Sequence, residues 1–265
     1  MKLDLARTNL VNRRAEVWRP PSFERPDSIT RKILAALRRM LDLQAGSIWR
    51  DLRIILPHVR GIALDVGCGA QPYRYLLGPQ TEYIGIDTNE SKAHFGYELP
   101  DVRYFSGDSW PVEDSSVDFV LCTEAMEHVP VPETLLQEAS RCLVSRGTVL
   151  LTVPFAARWH FIPHDYWRFT PSGLQRLLGR AGFINVRVYA RGNAVTVACY
   201  KVMALILRMV FPQNASWPAR TMIQIASLPF VPVLLLLAVF ARLSLWGNGG
   251  DDCLGYTVLA EKGPA

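Results

Sequence analysis

Three carboxylates and two glycines follow successive apolar segments in the first half of the chain. Asp65 lies within the apolar run at residues 62–66, and Gly67 and Gly69 come directly after it. Glycine suits a backbone that turns sharply under a ligand, because it has no Cβ to point into the ligand. Asp87 closes a second apolar run 20 residues after Gly67. A carboxylate at that distance can bind ribose hydroxyls from the end of a second strand, so the pattern predicts an adenosine-containing cofactor.

Two further features favour one cofactor over another. A dinucleotide motif would place its third glycine where Pro72 stands, which argues against a nicotinamide cofactor. The carboxylate of Asp65 would repel a pyrophosphate but would attract the ammonium of an amino acid. Asp108 follows a third apolar run, and a carboxylate there could accept a hydrogen bond from an adenine amine. A nicotinamide-dependent oxidoreductase therefore remains only as an alternative.

At these positions the chain resembles the class I S-adenosylmethionine-dependent methyltransferases. The similarity lies in the glycine turn at residues 65–69, in Asp87, in the Gly107–Asp108 pair and in residues 116–129, and it covers about residues 60–190 and 255–261. The family resemblance implies S-adenosylmethionine as the cofactor. It implies cofactor contacts from Asp65, Gly67, Cys68, Gly69, Asp87, Thr88, Gly107, Asp108, Ser109 and Thr123.

The segment at residues 154–169 carries the candidate groups for the methyl acceptor. In an α/β sheet, ligands bind beyond the carboxyl ends of the strands, so this segment should overhang the cofactor. His164 could remove a proton from an acceptor hydroxyl, with Asp165 orienting its ring or acting itself. Tyr166 and Trp167 would line the acceptor pocket, and Arg168 could bind a phosphate or carboxylate.

An alternative interpretation makes the same segment a structural corner, with Arg168 paired to Asp165 and the aromatic rings in the core. No metal site is expected, because Pro163 interrupts the helix that His160 and His164 would need to act as ligands four residues apart. The segment resembles loops of methyltransferases encoded among bacterial cell-surface polysaccharide and lipid-glycan genes. That resemblance implies a sugar or a lipid-linked acceptor.

Strand and helix patterns alternate along the chain and predict an α/β fold, with a mostly parallel sheet covered by helices on both faces. The resemblance makes this a Rossmann-like sheet of seven strands whose last strand is antiparallel. We expect a basic N-terminal cover region over residues 1–58, irregular up to residue 28 and then helical. The methyltransferase domain would comprise residues 59–193 and 254–262, and a hydrophobic helical insert would occupy residues 194–253.

The insert predicts association with a membrane. Residues 221–241 contain no charged side chain, and a stretch of about 20 apolar residues can span a bilayer. Because the last strand must return to the sheet, only zero or two crossings are possible. Two crossings would bury Lys201 or Arg208, and Pro229 and Pro232 would disrupt the second helix. We expect a helical hairpin on or in the cytoplasmic leaflet; the alternatives are a cover for the sheet or a dimer interface.

Charge and cysteine content limit the partners and the compartment. Residues 1–60 hold 13 lysines and arginines against 6 acidic residues, and residues 31–42 form a basic amphipathic pattern. Such a helix can bind an anionic membrane surface; the alternative is a helix that packs its apolar face on the domain and leaves its arginines in solvent. Five scattered cysteines favour reduced thiols in the cytoplasm, and no nucleic-acid-binding motif is present. The sequence predicts methyl transfer to oxygen at the inner membrane face, with a non-catalytic, membrane-bound scaffold as the alternative. The oligomeric state stays open.

Overall fold

The computed structural model describes residues 26–211 and 216–264. The expectation of an irregular start falls almost entirely outside these ranges. The chain begins with two helices and continues with alternating strands and helices. The helices are α1 (Ile29–Leu41), α2 (Leu43–Ile55), α3 (Asn89–Phe95), α4 (Pro132–Cys142), α5 (Pro171–Arg180), α6 (Ala194–Val210), α7 (Trp217–Ser227) and α8 (Val231–Ser244). The strands are β1 (Gly61–Val66), β2 (Thr81–Thr88), β3 (Val102–Phe105), β4 (Val117–Thr123), β5 (Leu143–Pro154), β6 (Phe183–Arg191) and β7 (Gly255–Lys262).

The seven strands form one sheet in the order β3-β2-β1-β4-β5-β7-β6. Strands β1 to β5 pair in parallel, and β7 lies antiparallel between β5 and β6. The predicted Rossmann-like fold with an antiparallel last strand is confirmed. One boundary differs, because β5 begins at Leu143 and its register with β4 shifts before Thr148, where the sequence predicts the strand to start. The parallel arrangement brings the carboxyl ends of β1 to β5 to one edge of the sheet.

Helices cover both faces of the sheet through separate hydrophobic clusters. On one face, α4 and α5 bury side chains such as Leu136 and Leu178 against the sheet. On the other face, α2 buries Ile48 and Leu52 against β1 and β4. Asp42 ends α1 and caps α2 by accepting a hydrogen bond from the Ala45 amide, which breaks the predicted continuous helical section into two helices.

Helices α6, α7 and α8 lie between β6 and β7 in the chain. Asn193 caps α6 with a capping box that includes Thr196. Helices α6 and α8 pack together through a third hydrophobic cluster, in which Met203 and Ala238 are fully or almost fully buried and which also includes Leu43 of α2. The helical segment Trp217–Ser244 has 28 residues, and an 18-residue window within it has a mean hydropathy of 2.3, so by length and composition it could cross a membrane.

Candidate active site

The glycine turn after β1 is held directly against the end of β2. Gly67 and Gly69 adopt positive φ angles of 65° and 49°, a region that favours glycine. A Cβ at Gly67 would lie 2.7 Å from the Cβ of Ala125. The amide of Gly69 donates to Oδ2 of Asp87 at 2.9 Å, and the amide of Thr88 donates to Oδ1 at 2.8 Å. The turn and the Asp87 carboxylate are thus fixed as one unit, and burial raises the pKa of Asp87.

Asp65 is buried beneath this turn and has one strong partner. Its Oδ2 accepts a hydrogen bond of 2.8 Å from the hydroxyl of Tyr83, whereas its buried Oδ1 has no partner in the described part of the chain. Burial raises the pKa of Asp65 to about 7, a shift that the Tyr83 bond opposes and the charge of Asp87 reinforces. An orphaned, buried carboxylate oxygen is what the ammonium of an amino-acid moiety requires. The site therefore fits the amino-acid end of S-adenosylmethionine.

Tyr83 is a site residue that the sequence analysis missed, and Gly85 allows it to reach Asp65. A Cβ at Gly85 would lie 3.2 Å from the Tyr83 hydroxyl and 3.1 Å from Sγ of Cys68. The Tyr83 ring and the Cys68 thiol therefore occupy the space that a side chain at position 85 would need. A tyrosine two residues before a glycine on a buried strand is the signal that could have revealed this contact.

The remaining predicted cofactor residues lie at the ends of β3 and β4. Gly107 has a φ of 81° and faces open space, and Asp108 and Ser109 beside it are exposed. Thr123 ends β4 and is half-buried. All of the predicted cofactor-binding positions are therefore found along one edge of the sheet, at the carboxyl ends of four parallel strands.

The predicted acceptor loop is fixed above the end of β4 by main-chain hydrogen bonds. The carbonyl oxygen of Glu127 accepts from the amides of Tyr166 and Trp167 at 2.9 and 3.3 Å. Nδ1 of His128 lies 2.7 Å from the carbonyl oxygen of His164, and the Trp167 indole donates to the Val129 carbonyl at 3.0 Å. These bonds align the loop with the short 3-10 turn Met126–His128.

Within the loop, Asp165 contacts different residues from those expected. Its two oxygens accept bonds of 2.6 and 2.8 Å from the Arg168 guanidinium, and Oδ2 also accepts from the His160 amide at 3.0 Å. Although burial opposes it, these bonds hold the pKa of Asp165 well below its usual range. The His164 ring instead lies 3.3 Å from the Tyr166 hydroxyl. The arrangement differs from the expected His164–Asp165 pair and agrees with the alternative in which Arg168 is paired to Asp165. That alternative also placed the aromatic rings in the core, but Tyr166 and Trp167 are exposed.

Two acidic residues follow β4, of which Glu127 is buried and Glu124 half-buried. Glu127 is fully buried, and neither carboxylate oxygen has a hydrogen-bond partner among the described residues. Burial raises the pKa of Glu127 and lowers that of the adjacent His128 to about 4, so His128 is neutral at pH 7. Glu124 has a left-handed backbone with a φ of 49° and accepts a 2.7 Å bond from the fully buried Arg191.

Comparisons with known proteins agree with this geometry. A family model described as a methyltransferase domain matches residues 64–151, which run from the centre of β1 into β5. The demethylmenaquinone methyltransferase of Staphylococcus aureus is 27% identical over 194 residues, which cover 57% of this chain and 80% of that protein.

Solved structures show the same fold at low sequence identity. An S-adenosylmethionine-dependent methyltransferase from Archaeoglobus fulgidus is 16% identical, with a TM-score of 0.51, over 84% of this chain and 94% of that one. A possible histamine N-methyltransferase from Thermotoga maritima is 15% identical, with a TM-score of 0.50, over 87% of this chain and 95% of that one. From the sheet order, the cofactor edge and the matching domain, the chain carries a methyltransferase domain with the class I fold, and its cofactor is S-adenosylmethionine.

Proposed function

We propose that the protein methylates an oxygen atom of a sugar, a lipid-linked molecule or another small polar acceptor at the cytoplasmic face of a membrane. The observation that carries this proposal is the pairing of His164 with Tyr166 on a loop fixed beside the cofactor edge. His164, Tyr166 and Trp167 are exposed there and can meet an acceptor, whereas Asp165 is buried. The Staphylococcus aureus relative is named for a small-molecule acceptor, which supports an acceptor of that size.

The residues suit transfer to a hydroxyl. The cofactor supplies an activated methyl group, so most of the rate comes from positioning the acceptor. His164 would accept the hydroxyl proton, and the Tyr166 hydroxyl would hold the imidazole in place. Trp167 would form a wall of the pocket. The Arg168 guanidinium donates to both oxygens of Asp165. Its main role would therefore be to stabilise the loop, and binding an anionic acceptor would be secondary.

The placement at a membrane is supported by many exposed apolar side chains on α1 and on the helices of the insert. On α1, Ile29, Ile33 and Leu37 are between 47% and 77% exposed. The helices of the insert expose many more. Among these are Leu205, Met222, Ile225, Leu228, Leu236 and Phe240. Large exposed apolar patches mark surfaces that bind proteins or membranes.

Basic residues lie next to the apolar surface. Burial, together with the nearby charges of Arg39, Arg50 and Arg53, lowers the pKa of Arg242 near the end of α8. The guanidinium carbons of Arg39 and Arg53 lie 4.2 and 4.9 Å from the Trp49 ring. Such a cluster would bind anionic lipid headgroups at about 1 kcal/mol per basic residue. Apolar and basic groups on neighbouring helices are the combination that an interfacial membrane protein uses.

The packing favours a hairpin on the leaflet over a crossing. Helix α8 buries Leu234, Ala238 and Ala241, and α6 buries Met203 and Ile206 in the same cluster. Strand β6 before the insert and strand β7 after it both belong to the sheet, so one crossing would require β7 to leave the sheet. We therefore propose that the outer faces of α1, α7 and α8 enter the interface.

Vesicle flotation tests the membrane proposal. Ile33→Glu and Leu236→Glu place a charge at positions that are each 56% exposed. Val131→Glu places one at a 52% exposed position just before α4, which packs in a different hydrophobic cluster from α8. The first two variants should lose binding to vesicles of phosphatidylcholine and phosphatidylglycerol, whereas Val131→Glu should float like the unaltered protein. Equal flotation of all three variants, or no flotation of the unaltered protein, would contradict the proposal.

Transfer of a labelled methyl group from S-adenosylmethionine to extracted membrane lipids and glycans tests the reaction. His164→Ala should lower the rate about 100-fold or more, because the acceptor hydroxyl loses its proton acceptor. His58→Ala, an exposed histidine at the opposite end of β1, is the matched control. Cofactor binding without transfer to any such acceptor would favour the non-catalytic scaffold.

A further inference from the structure

Three metal-ligating side chains meet beside the cofactor edge. One ligand atom from each of Glu127, His128 and His160 lies within 4.8 Å of the other two. The sequence analysis considered His160 together with His164 and expected no metal site. The loop instead folds back on the 3-10 turn after β4 and brings His160 to two residues that precede it by more than 30 positions.

Of the three side chains, Glu127 has the fewest hydrogen-bond partners among the described residues. It is 0% exposed, and both carboxylate oxygens lack a hydrogen-bond partner among the described residues. Oε1 lies 3.6 Å from Nε2 of His128. Metal–ligand bonds of about 2.1 Å place ligand atoms about 3–4 Å apart, so this distance suits a shared ion. A buried carboxylate is stabilised by an opposite charge or by a metal, and none of the described cations bonds to Glu127.

In both histidines, hydrogen bonding of Nδ1 leaves Nε2 available to bind a metal ion. Nδ1 of His128 bonds to the His164 carbonyl oxygen at 2.7 Å, and Nδ1 of His160 bonds to the Arg158 carbonyl oxygen at 3.0 Å. A carbonyl oxygen only accepts, so Nδ1 must carry the proton in each neutral ring and Nε2 must carry the lone pair. Nδ1 of His160 also lies 3.1 Å from Oδ2 of Asp165. A carboxylate or carbonyl behind the imidazole is the usual support of a metal-binding histidine.

We propose that Glu127, His128 and His160 bind one divalent transition-metal ion, with Asp165 orienting His160. Two imidazoles and one carboxylate favour ions such as Zn²⁺ or Co²⁺ over Mg²⁺, which prefers oxygen ligands. Three protein ligands leave coordination positions open to a hydroxyl oxygen. This role for Asp165 explains why it pairs with His160 and Arg168 and does not orient His164.

The inference deepens the proposed function and rests on it for the role of the ion. A hydroxyl bound to the ion is more acidic than a free one. His164, whose carbonyl already bonds to His128, would receive the hydroxyl proton. The acceptor oxygen would form its bond to the methyl carbon as the bond from that carbon to sulfur breaks, and the sulfur would keep the electron pair. One proton and neutral S-adenosylhomocysteine leave the site.

Titration of the metal alone into the metal-stripped protein tests the site without any acceptor. Calorimetry with Zn²⁺ and the visible absorption of bound Co²⁺ should show one ion per chain and little response to Mg²⁺. Glu127→Gln and His160→Ala should each weaken binding by about 10- to 100-fold or more. Glu113→Gln and His58→Ala remove an exposed carboxylate and an exposed histidine and should leave binding unchanged.

Calorimetric binding of S-adenosylmethionine separates the possible outcomes. If Glu127→Gln loses cofactor binding because its buried site unfolds, the metal affinity of His160→Ala tests the site instead. The His160 side chain is 26% exposed, so its removal disturbs the core less. Equal metal affinity in the variants and their controls, or a Co²⁺ spectrum unchanged by His160→Ala, would overturn the metal site. Metal binding without methylation of any hydroxyl would leave the site standing and would overturn the proposed reaction instead.

Discussion

Replacing Asp65 by asparagine should stabilise the ligand-free protein above pH 7 while weakening cofactor binding. The pKa of this buried carboxyl is raised to about 7, against about 4 in an unfolded chain. Its ionised form is therefore disfavoured by folding. The protonated carboxyl therefore contributes about 4 kcal/mol to the free energy of unfolding. This contribution is fully present below about pH 4 and is lost as the pH rises through about 7.

The size of the effect follows from the same two pKa values. Between pH 5 and pH 8, the free energy of unfolding of the unaltered protein should fall by about 2–3 kcal/mol from this group alone. Asp65→Asn removes that dependence, but its amide also leaves a buried donor without a partner, at a cost of about 1–3 kcal/mol. At pH 8 the variant should therefore equal or exceed the stability of the unaltered protein, whereas at pH 5 it should fall below it.

Urea denaturation at pH 5 and pH 8, without cofactor, measures this difference. Glu113→Gln, at an exposed position, is the matched control and should show the same pH dependence as the unaltered protein. A gap between Asp65→Asn and the unaltered protein that does not change with pH would refute the reasoning. It would mean that Asp65 stays ionised in the folded protein at a low pKa.

Two other substitutions test the packing that positions the site. Gly85→Ala would put a methyl group 3.2 Å from the Tyr83 hydroxyl, so we expect a loss of about 1–3 kcal/mol in urea denaturation and weaker cofactor binding in calorimetry. No change in either measurement would contradict the role given to Tyr83. Arg191→Met would leave Glu124 without its buried partner and should cost about 3 kcal/mol in urea denaturation. Adding Glu124→Gln should recover much of that loss, and strictly additive losses would contradict the pairing.

The sequence was a good guide to the sheet and the cofactor edge because both depend on local patterns. Apolar runs ending in Gly67, Asp87 and Asp108 marked strand ends, and parallel strands place those ends together. The antiparallel β7 agrees with what the family resemblance implies. Tyr83 was missed because its contact with Asp65 crosses from one strand to the next over Gly85.

The acceptor loop was harder to predict because its contacts join distant segments. Asp165 can pair with His164 or with Arg168, and only the path of the loop decides in favour of Arg168. The approach of His160 to Glu127 depends on main-chain bonds from that loop to the turn after β4. The pairing of Glu124 with Arg191 spans 67 positions, and no local pattern indicates it.

Isothermal titration of S-adenosylmethionine and of a nicotinamide dinucleotide into the purified protein tests the central claim most directly. We expect saturable binding of S-adenosylmethionine, no binding of the dinucleotide, and a loss of affinity of about 10- to 100-fold in Asp87→Asn, because a charged hydrogen-bond acceptor is removed. Glu113→Gln should bind like the unaltered protein. Folded protein that does not bind S-adenosylmethionine, or that binds it equally well after Asp87→Asn, would contradict the account of the site.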